Sequence, residues 1–304
     1  MTLSRSVLAG IFAASALYAQ SVTTHYMITD LGPVGGPPGQ PFVIKDNSLV
    51  SGSAGVNDTT WHAVLWLQEW KIDIGNPGLG GPSSAAFGIS ERGQAVGEAE
   101  TATPDPNGED FCGFGSRLVC HPFVWQNGVM TALPLLTNAN GVGGTNGAAN
   151  AINNRGQAAG ISENGERDST CPDVDPSLGQ YQQFKFKPVM WESGLVKELP
   201  TVAGDPDGLV FAINNKGQSV GATGSCTAFQ SSGDLTYLFG LHATLWENGK
   251  VTDLGSLGAV SPNGGNSALN INNRGDRNFR YSRRLVSWFP VEPGDRPSGS
   301  GNRR

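Results

Sequence analysis

Short apolar runs alternate with polar turns through the middle of the chain, and one phrase of this kind recurs. At 151–160 it consists of an apolar start, a polar turn closed by glycine and an apolar return. It returns at 86–97, 211–221 and, cut short, 269–275, and a worn copy lies at 43–52. Glycine permits the positive φ of a tight reversal, so each copy predicts a β-hairpin. The turn glycines are Gly93, Gly156, Gly217 and Gly275.

A second phrase, which ends in tryptophan, follows the first at a variable distance. It occupies 62–66, 121–125, 187–191 and 242–246. In the last three copies an Asn-Gly or Ser-Gly pair leads into another short apolar run, which is a strong hairpin signal. Two hairpins in each unit predict a four-stranded antiparallel sheet. One such sheet buries too little surface alone, so we expect an all-β propeller in which successive sheets pack as blades.

The two ends of the repeat region predict the number of blades. The segment 28–32 repeats the pattern of 251–255, so the repeat region begins with an orphan fourth strand. The last recognisable piece, 268–271, is a first strand. An N-terminal strand that completes the last sheet would remove two exposed edges. We therefore predict about five blades, of which the last is incomplete or shared with the N-terminal strand.

The composition supports many strands and few helices. Glycine accounts for 43 of 304 residues, and charged residues for only 15%. This suits short strands joined by tight turns, and no long stretch has the apolar spacing of an amphipathic helix. The formal net charge of -6 argues against a nucleic-acid partner.

The first residues are typical of a secretory signal peptide. Arg5 precedes an apolar run at 7–17, and small residues precede a cleavage site ahead of Gln20. A membrane anchor is the alternative, but the run is shorter than the roughly 20 residues that span a bilayer. We assign 1–19 as the signal peptide and expect a secreted or periplasmic protein without a transmembrane segment.

Export makes disulfides the expected state of the four cysteines. Cys112 and Cys120 flank a short glycine-rich segment and can close a small loop. Cys171 and Cys226 are then left to pair across neighbouring repeats. Four cysteines allow three pairings, and free buried thiols are the alternative.

The repeat domain covers 26–275, and the composition changes abruptly after it. The segment 276–304 contains seven basic and three acidic residues, while the preceding residues carry a net charge of -10. We expect an irregular, disordered basic tail, with an altered reading frame as one hypothesis. A basic tail that binds an acidic surface is the alternative.

The two phrases together resemble the bacterial extracellular HAF repeats. The resemblance rests on His-Ala-Val-Leu-Trp at 62–66, on the related runs at 121–125 and 242–246, and on Ile-Asn-Asn-Arg-Gly-Gln at 152–157. The run at 187–191 departs from the pattern because it begins with lysine. The resemblance implies a secreted protein with propeller-like repeats and no established activity.

Histidines and tryptophans hold repeated positions, which favours structural roles over chemistry. Equivalent positions on different blades lie apart, so the histidines need not converge on one metal ion. We expect the histidines to cap turns or bond neighbouring strands and the tryptophans to act as wedges between blades. The histidines are His62, His121 and His242, and the tryptophans are Trp66, Trp125, Trp191 and Trp246.

No catalytic or cofactor-binding residue is predicted, although acidic clusters at 105–110, 173–175 and 205–208 offer oxygen ligands of the kind that Ca²⁺ takes. None has EF-hand spacing, and the chain contains no nucleophile elbow, zinc motif or phosphate loop. Long variable connections between the second and third strands should emerge on one face. There we expect a monomeric, non-enzymatic module to bind an extracellular glycan or protein.

Two alternatives stay open. A carbohydrate-active hydrolase or lyase on the same scaffold would need clustered carboxylates over a central channel. A truncated, poorly folding relic is the other.

Overall fold

A computed structural model gives the structure of the chain in two compact units, 1–30 and 31–304, and all the strands belong to the second. The residues described are 28, 30–32, 35–37, 39–67, 70–75, 78–171, 182–226, 240–255, 265–281 and 284–288. The predicted signal peptide lies outside them. Within them, no helix has the length and apolar character needed to cross a membrane.

Four antiparallel sheets of four strands lie in a ring as in a β-propeller, and their strands follow one another in sequence order. The all-β propeller prediction is thereby confirmed, although a count of five blades is not. The first sheet comprises β1 (Gln40–Ile44), β2 (Leu49–Gly55), β3 (Trp61–Leu67) and β4 (Trp70–Asp73). The second comprises β5 (Gly80–Ile89), β6 (Ala95–Pro104), β7 (Leu118–Gln126) and β8 (Val129–Ala132). The third comprises β9 (Gly147–Ile152), β10 (Ala158–Arg167), β11 (Phe184–Glu192) and β12 (Leu195–Glu198). The fourth comprises β13 (Asp207–Ile213), β14 (Ser219–Gly224), β15 (His242–Glu247) and β16 (Lys250–Asp253).

A fifth sheet has three strands, β17 (Asn266–Ile271), β18 (Arg277–Tyr281) and β19 (Arg284–Trp288). Two of them lie where the composition predicts an irregular tail, so that expectation does not hold for 277–281 and 284–288. Backbone pairing explains the difference, because ladder hydrogen bonds do not require the side chains of the repeat. Residues 282–283 and 289–304 of the predicted tail lie outside the described residues. The described residues at 28 and 30–32, where a fourth strand is predicted, form no strand, and the last sheet contains no N-terminal strand among the residues that the structure describes.

Each blade needs glycine at the end of its first phrase. In every sheet the first strand contains a β-bulge where it faces this position of the second strand. A Cβ atom on Gly160 would overlap the carbonyl oxygen of Ala148 in the first strand, and a Cβ on Gly221 would overlap that of Leu209. Gly52 and Gly97 meet the same obstacle. In the four four-stranded sheets the two backbones lie too close for a Cβ atom at this position, which explains why the glycine recurs there, whereas the three-stranded sheet has Phe279 opposite its bulge.

Tryptophan fills the space between one sheet and the preceding one. Trp191 is 1% exposed and packs with Val96 of the second sheet. Trp246 is 2% exposed and packs with Ala159 of the third sheet. Each indole N–H also donates to the connecting segment, at 2.7 Å to the Pro134 carbonyl and at 2.6 Å to the Pro200 carbonyl respectively.

The first two tryptophans complete this arrangement. Trp66 is 1% exposed and packs with Leu31, and Trp125 is half-buried against the cluster between the first two sheets. All four tryptophans thus pack at a sheet face. Burial of a side chain of this size at each interface is a large part of what holds small sheets together.

Candidate functional site

The ends of the sheets form two faces, which differ in construction. The turn face carries both tight hairpin turns of each blade, such as 90–93 and 127–128. Because the strands are antiparallel, the connections between second and third strands lie at the opposite end. We call that end the loop face, and its connections are 105–117, 168–183 and 225–241.

On the turn face, the second asparagine of the repeat forms a ladder from blade to blade. The Glu91 N–H donates to Asn154 Oδ1, the Asn154 N–H donates to Asn215 Oδ1, and the Asn215 N–H donates to Asn273 Oδ1, each at 2.9 Å. Every rung is the same bond between neighbouring hairpins. The Asn-Asn pair of the repeat is therefore an inter-blade connector, a role that its sequence pattern did not reveal.

The first asparagine of the pair closes its own turn and reaches the next blade. Asn153 Oδ1 accepts the N–H groups of Arg155 at 2.9 Å and of Gln157 at 3.1 Å. Asn153 Nδ2 donates to the Asn214 carbonyl at 3.0 Å, and Asn214 Nδ2 donates in the same way to Asn272. The glutamine after the turn glycine ties the two hairpins of a blade together, since Gln157 Nε2 donates to Glu192 at 2.8 Å.

The turn geometry agrees with the sequence analysis. The turn glycines have positive φ, with values of 78°, 82°, 84° and 104° at Gly93, Gly156, Gly217 and Gly275. In the second hairpin both turn residues have positive φ, as at Asn127 (53°) and Gly128 (85°). Two consecutive positive φ angles are the signature of a type I′ turn.

The repeated histidines make separate local contacts. His62 Nδ1 lies 2.8 Å from Asp73 of the adjacent strand, and His242 Nδ1 lies 2.8 Å from Asp205. His121 is partly buried, and burial lowers its pKa. Lys187, which holds the same repeat position, donates to the Pro206 carbonyl. His62 therefore contacts a neighbouring strand and His242 the segment before β13, and neither metal-ligand group found among the described residues contains a histidine.

On the loop face, both predicted disulfides are present. Cys112–Cys120 closes a loop within the second blade, and Cys171–Cys226 joins the connections of the third and fourth blades. Both cysteine pairs lie beside a carboxylate, Glu98 and Asp168 respectively, in a grouping that would suit a metal. Their sulfur atoms are already bonded to each other, so neither group can supply thiolate ligands.

Hydrogen bonds link the same connections from blade to blade. Gln183, before β11, donates through its N–H to Glu109 at 2.5 Å and through Nε2 to the Asn107 carbonyl at 3.1 Å. The Cys226 N–H donates to Thr170 Oγ1 at 3.0 Å. The connections of the second, third and fourth blades are therefore one linked layer.

Three carboxyl groups surround Asn146 inside the joint between the second and third blades. Asn146 Nδ2 lies 2.9 Å from Asp105, 3.2 Å from Glu109 and 3.4 Å from Glu163. Glu109 is 3% exposed and Glu163 is fully buried. Burial and the neighbouring Glu163 raise the pKa of Glu109 to about 9, so Glu109 holds a proton and donates it to Glu163.

These carboxyl groups accept backbone N–H groups of the joint. Glu163 accepts from Thr145 and Asn146 at 3.0 and 2.9 Å, and Asp105 accepts from Asn107 and Glu109 at 2.8 and 3.1 Å. In the second blade, Glu100 accepts from the Ser83 N–H at 3.0 Å. Burial raises the pKa of Glu100 and of Glu98.

In the predicted Ca²⁺ clusters that the structure describes, Asp105, Glu109 and Asp205 accept hydrogen bonds from neighbouring donors. At 105–110, the Asn146 amide N–H₂ group points into the carboxyl groups, and an N–H donor there takes the place that a cation would need. Turning that amide around would break the bond from the Cys120 N–H to Asn146 Oδ1. Asp205 accepts from Thr223 Oγ1 at 2.6 Å and bonds His242. The cluster at 173–175 lies outside the described residues.

A second pair of carboxyl groups occupies the joint between the third and fourth blades. Asp207 is fully buried and accepts the Phe186 N–H at 3.1 Å. Asp168 accepts the N–H and Oγ1–H of Thr170 at 2.7 and 2.9 Å. Burial, the hydrogen bond to Asp168 and the charge of Asp168 raise the pKa of Asp207 to about 9. Burial acts to raise the pKa of Asp168, but bonds from Asp207 and Thr170 outweigh it and leave that pKa below its ordinary value.

No protein-family model matches the chain, and no significant match is found among curated proteins or solved structures. Any functional conclusion therefore depends on the geometry of the two faces.

Proposed function

We propose that this protein is a secreted, non-enzymatic binding module that recognises an extracellular glycan or protein through its loop face. The observation that carries the proposal is the linked layer of connections on that face, closed by Cys112–Cys120 and Cys171–Cys226. Irregular loops held by a rigid scaffold are where recognition usually occurs in repeat proteins. The turn face consists instead of repeated turns whose asparagine side chains bond within the turn or to the neighbouring turn.

The protonation states and burial of the loop-face carboxyl groups support binding over hydrolysis. A glycosidase needs two carboxyl groups that reach the substrate and lie about 5 to 9 Å apart. Glu109 and Glu163 bond each other directly and are enclosed by the joint, as are Asp168 and Asp207. Their oxygens bond strand ends and each other, which is a structural use of these groups.

Export and a fifth blade belong to the same proposal. Disulfides persist in oxidising compartments, which supports the signal peptide inferred at 1–19 and the resemblance to extracellular HAF repeats. The three-stranded sheet would be a fifth blade. In its favour, Trp288 pairs with Arg277 in the register that joins Trp191 to Ala158 in the third blade.

The test compares equal charge changes on the two faces of the full mature chain. Arg117 is exposed on the loop face and Arg92 is exposed on the turn face. We expect saturable binding to an immobilised glycan panel or to bacterial envelope fractions. Arg117→Glu should weaken that binding at least about tenfold, while Arg92→Glu leaves it unchanged.

Two results would count against the proposal. Binding that Arg92→Glu weakens as much as the loop-face variant would remove the loop face as the contact surface. Release of reducing sugars from any glycan in the panel would favour the hydrolase alternative.

A further inference from the structure

Two blade joints use side chains at the same positions of the repeat. Ala149 pairs with Gly160 in the third blade, and Val210 pairs with Gly221 in the fourth. Asn146 precedes Ala149 by the same number of residues as Asp207 precedes Val210. Likewise, Asp105 and Asp168 follow the glycines Gly97 and Gly160 at equal distance along the chain. The aspartate–asparagine pair of one joint therefore corresponds to an aspartate–aspartate pair in the next.

In the first of these joints, the amide of Asn146 makes two complementary bonds. Its Oδ1 accepts the Cys120 N–H at 2.9 Å. Its Nδ2 donates to Asp105 Oδ2, also at 2.9 Å. One side chain thus accepts from the third strand of one blade and donates to the loop aspartate, and both functions are needed to satisfy the buried groups.

In the second joint, Asp207 accepts a backbone N–H as Asn146 does in the first. An ionised Asp207, however, has no hydrogen with which to donate a second bond. Asp207 Oδ1 accepts the Phe186 N–H at 3.1 Å, where Phe186 holds the position of Cys120. Asp207 Oδ2 is fully buried, and no N–H or O–H group of the described residues donates to it. A carboxylate at this place would put one acceptor against another, because the neighbouring Asp168 is an acceptor as well.

The charged groups around Asp207 leave this conflict unrelieved. From the third blade, Lys185 donates to Glu166 at 2.9 Å and Lys187 donates to a carbonyl. On the segment before β13, Asp205 is engaged by His242 and Thr223. The charge that acts most strongly on Asp207 is the Asp168 carboxylate, which opposes ionisation of its neighbour, while the charge of Lys187 acts more weakly in the other direction.

We propose that Asp207 carries a proton in the folded protein and donates it to Asp168. Its protonated carboxyl group then does in the second joint what the amide of Asn146 does in the first, and it makes the second joint sensitive to pH. The pKa of about 9 at Asp207, caused chiefly by burial, agrees with this assignment. Between about pH 4, where an unfolded aspartate ionises, and about pH 9, the folded chain holds one proton that the unfolded chain has lost. Stability should therefore fall as pH rises through that window.

The experiment is the pH dependence of unfolding of the full chain with Asp207→Asn, an amide at the position where Asn146 already serves. Denaturant unfolding is followed from about pH 5 to about pH 8. One retained proton changes the unfolding equilibrium constant tenfold per pH unit, so the ratio of wild-type to variant constants should rise by about that factor per unit. Other buried carboxyl groups contribute equally to both proteins and cancel in this ratio.

The reciprocal variant, Asn146→Asp, should add a pH dependence of the same sign at the other joint. A ratio between wild type and Asp207→Asn that stays constant over the whole range would overturn the proposal. Should Asp207→Asn not fold, carbon NMR of wild-type protein labelled only at aspartate provides the second measurement. One carboxyl signal at the protonated position near neutral pH supports the proposal, and ionised signals alone would refute it.

Discussion

The turn face and the loop face join the same blades by different means. On the turn face one bond repeats, the backbone N–H of each hairpin donating to the next asparagine at 2.9 Å. On the loop face two joints are bonded differently: one has a triple carboxyl cluster around Asn146, and the other has a carboxyl pair at Asp207 and a disulfide across blades. A repeated motif can specify a repeated bond, whereas individual loops must each satisfy their own buried groups.

The largest expected effect on stability comes from removing the disulfide that joins two blades on the loop face. Cys171 and Cys226 are separated by 55 residues, so their bond restricts the unfolded chain strongly. Replacing both by serine should lower the free energy of unfolding by about 4 kcal/mol in the chain-entropy model. Denaturant unfolding of the oxidised proteins measures it.

The control for that prediction is the second disulfide. Cys112 and Cys120 are separated by only 8 residues, so the corresponding double serine variant should lose about 2 to 3 kcal/mol. Equal losses in the two double variants would show that loop length is not what sets the contribution of these disulfides.

The next largest effect on stability comes from removing a side chain that links two blades on the turn face. Asn153 is 3% exposed and satisfies four groups, including the Asn214 carbonyl of the next blade. Asn153→Ala should therefore lower the free energy of unfolding by about 2 to 3 kcal/mol. Thermal or denaturant unfolding measures the loss.

The matched position is Asn272, which is exposed and whose side chain bonds only its own turn among the described residues. Asn272→Ala should lower the free energy of unfolding by about 1 kcal/mol or less, because water can replace the lost bonds. If the two alanine variants lose the same amount, the inter-blade bond contributes nothing measurable.

The same contrast explains which structural features could be predicted from the sequence. Hairpins, strand order and the Cys112–Cys120 disulfide followed from short-range signals: turn dipeptides, period and cysteine spacing. The Cys171–Cys226 disulfide followed only by elimination. The glycine at the end of the first phrase was visible as a pattern, but its reason was not. That reason is the overlap of a Cβ on Gly160 with the Ala148 carbonyl, which depends on a bulge in another strand.

The loop-face clusters escaped prediction because their members are distant in sequence. Asn146 meets Asp105 across 41 positions, and Gln183 meets Glu109 across 74. One signal was nevertheless available: alignment of the repeats places Asp105 over Asp168 and Asn146 over Asp207. The strands at 277–281 and 284–288 were missed for the opposite reason, since backbone pairing persists there after the side-chain pattern of the repeat has ended.

The smallest expected effect concerns an exposed ion pair beside the pH-sensitive joint. Lys185 and Glu166 lie 2.9 Å apart, with side chains 31% and 42% exposed. Their bond lowers the pKa of Glu166, so its contribution is present above the pKa of an unfolded glutamate, about 4.3, and is lost as pH falls through the folded pKa. Exposed pairs contribute less than about 1 kcal/mol, so Glu166→Gln should lower the free energy of unfolding only slightly near neutral pH.

The sign of the pH dependence separates this surface carboxyl group from the buried Asp207. Loss of stability in Glu166→Gln should shrink with acidification and with added salt, which screens an exposed pair. The proton that folded Asp207 retains instead makes wild-type protein less stable, relative to Asp207→Asn, as pH rises, and this effect should respond little to salt because the carboxyl pair is enclosed. Parallel pH and salt series on Glu166→Gln and Asp207→Asn therefore distinguish the two, and a common sign in both would contradict the assignment of the proton to the interior of the joint.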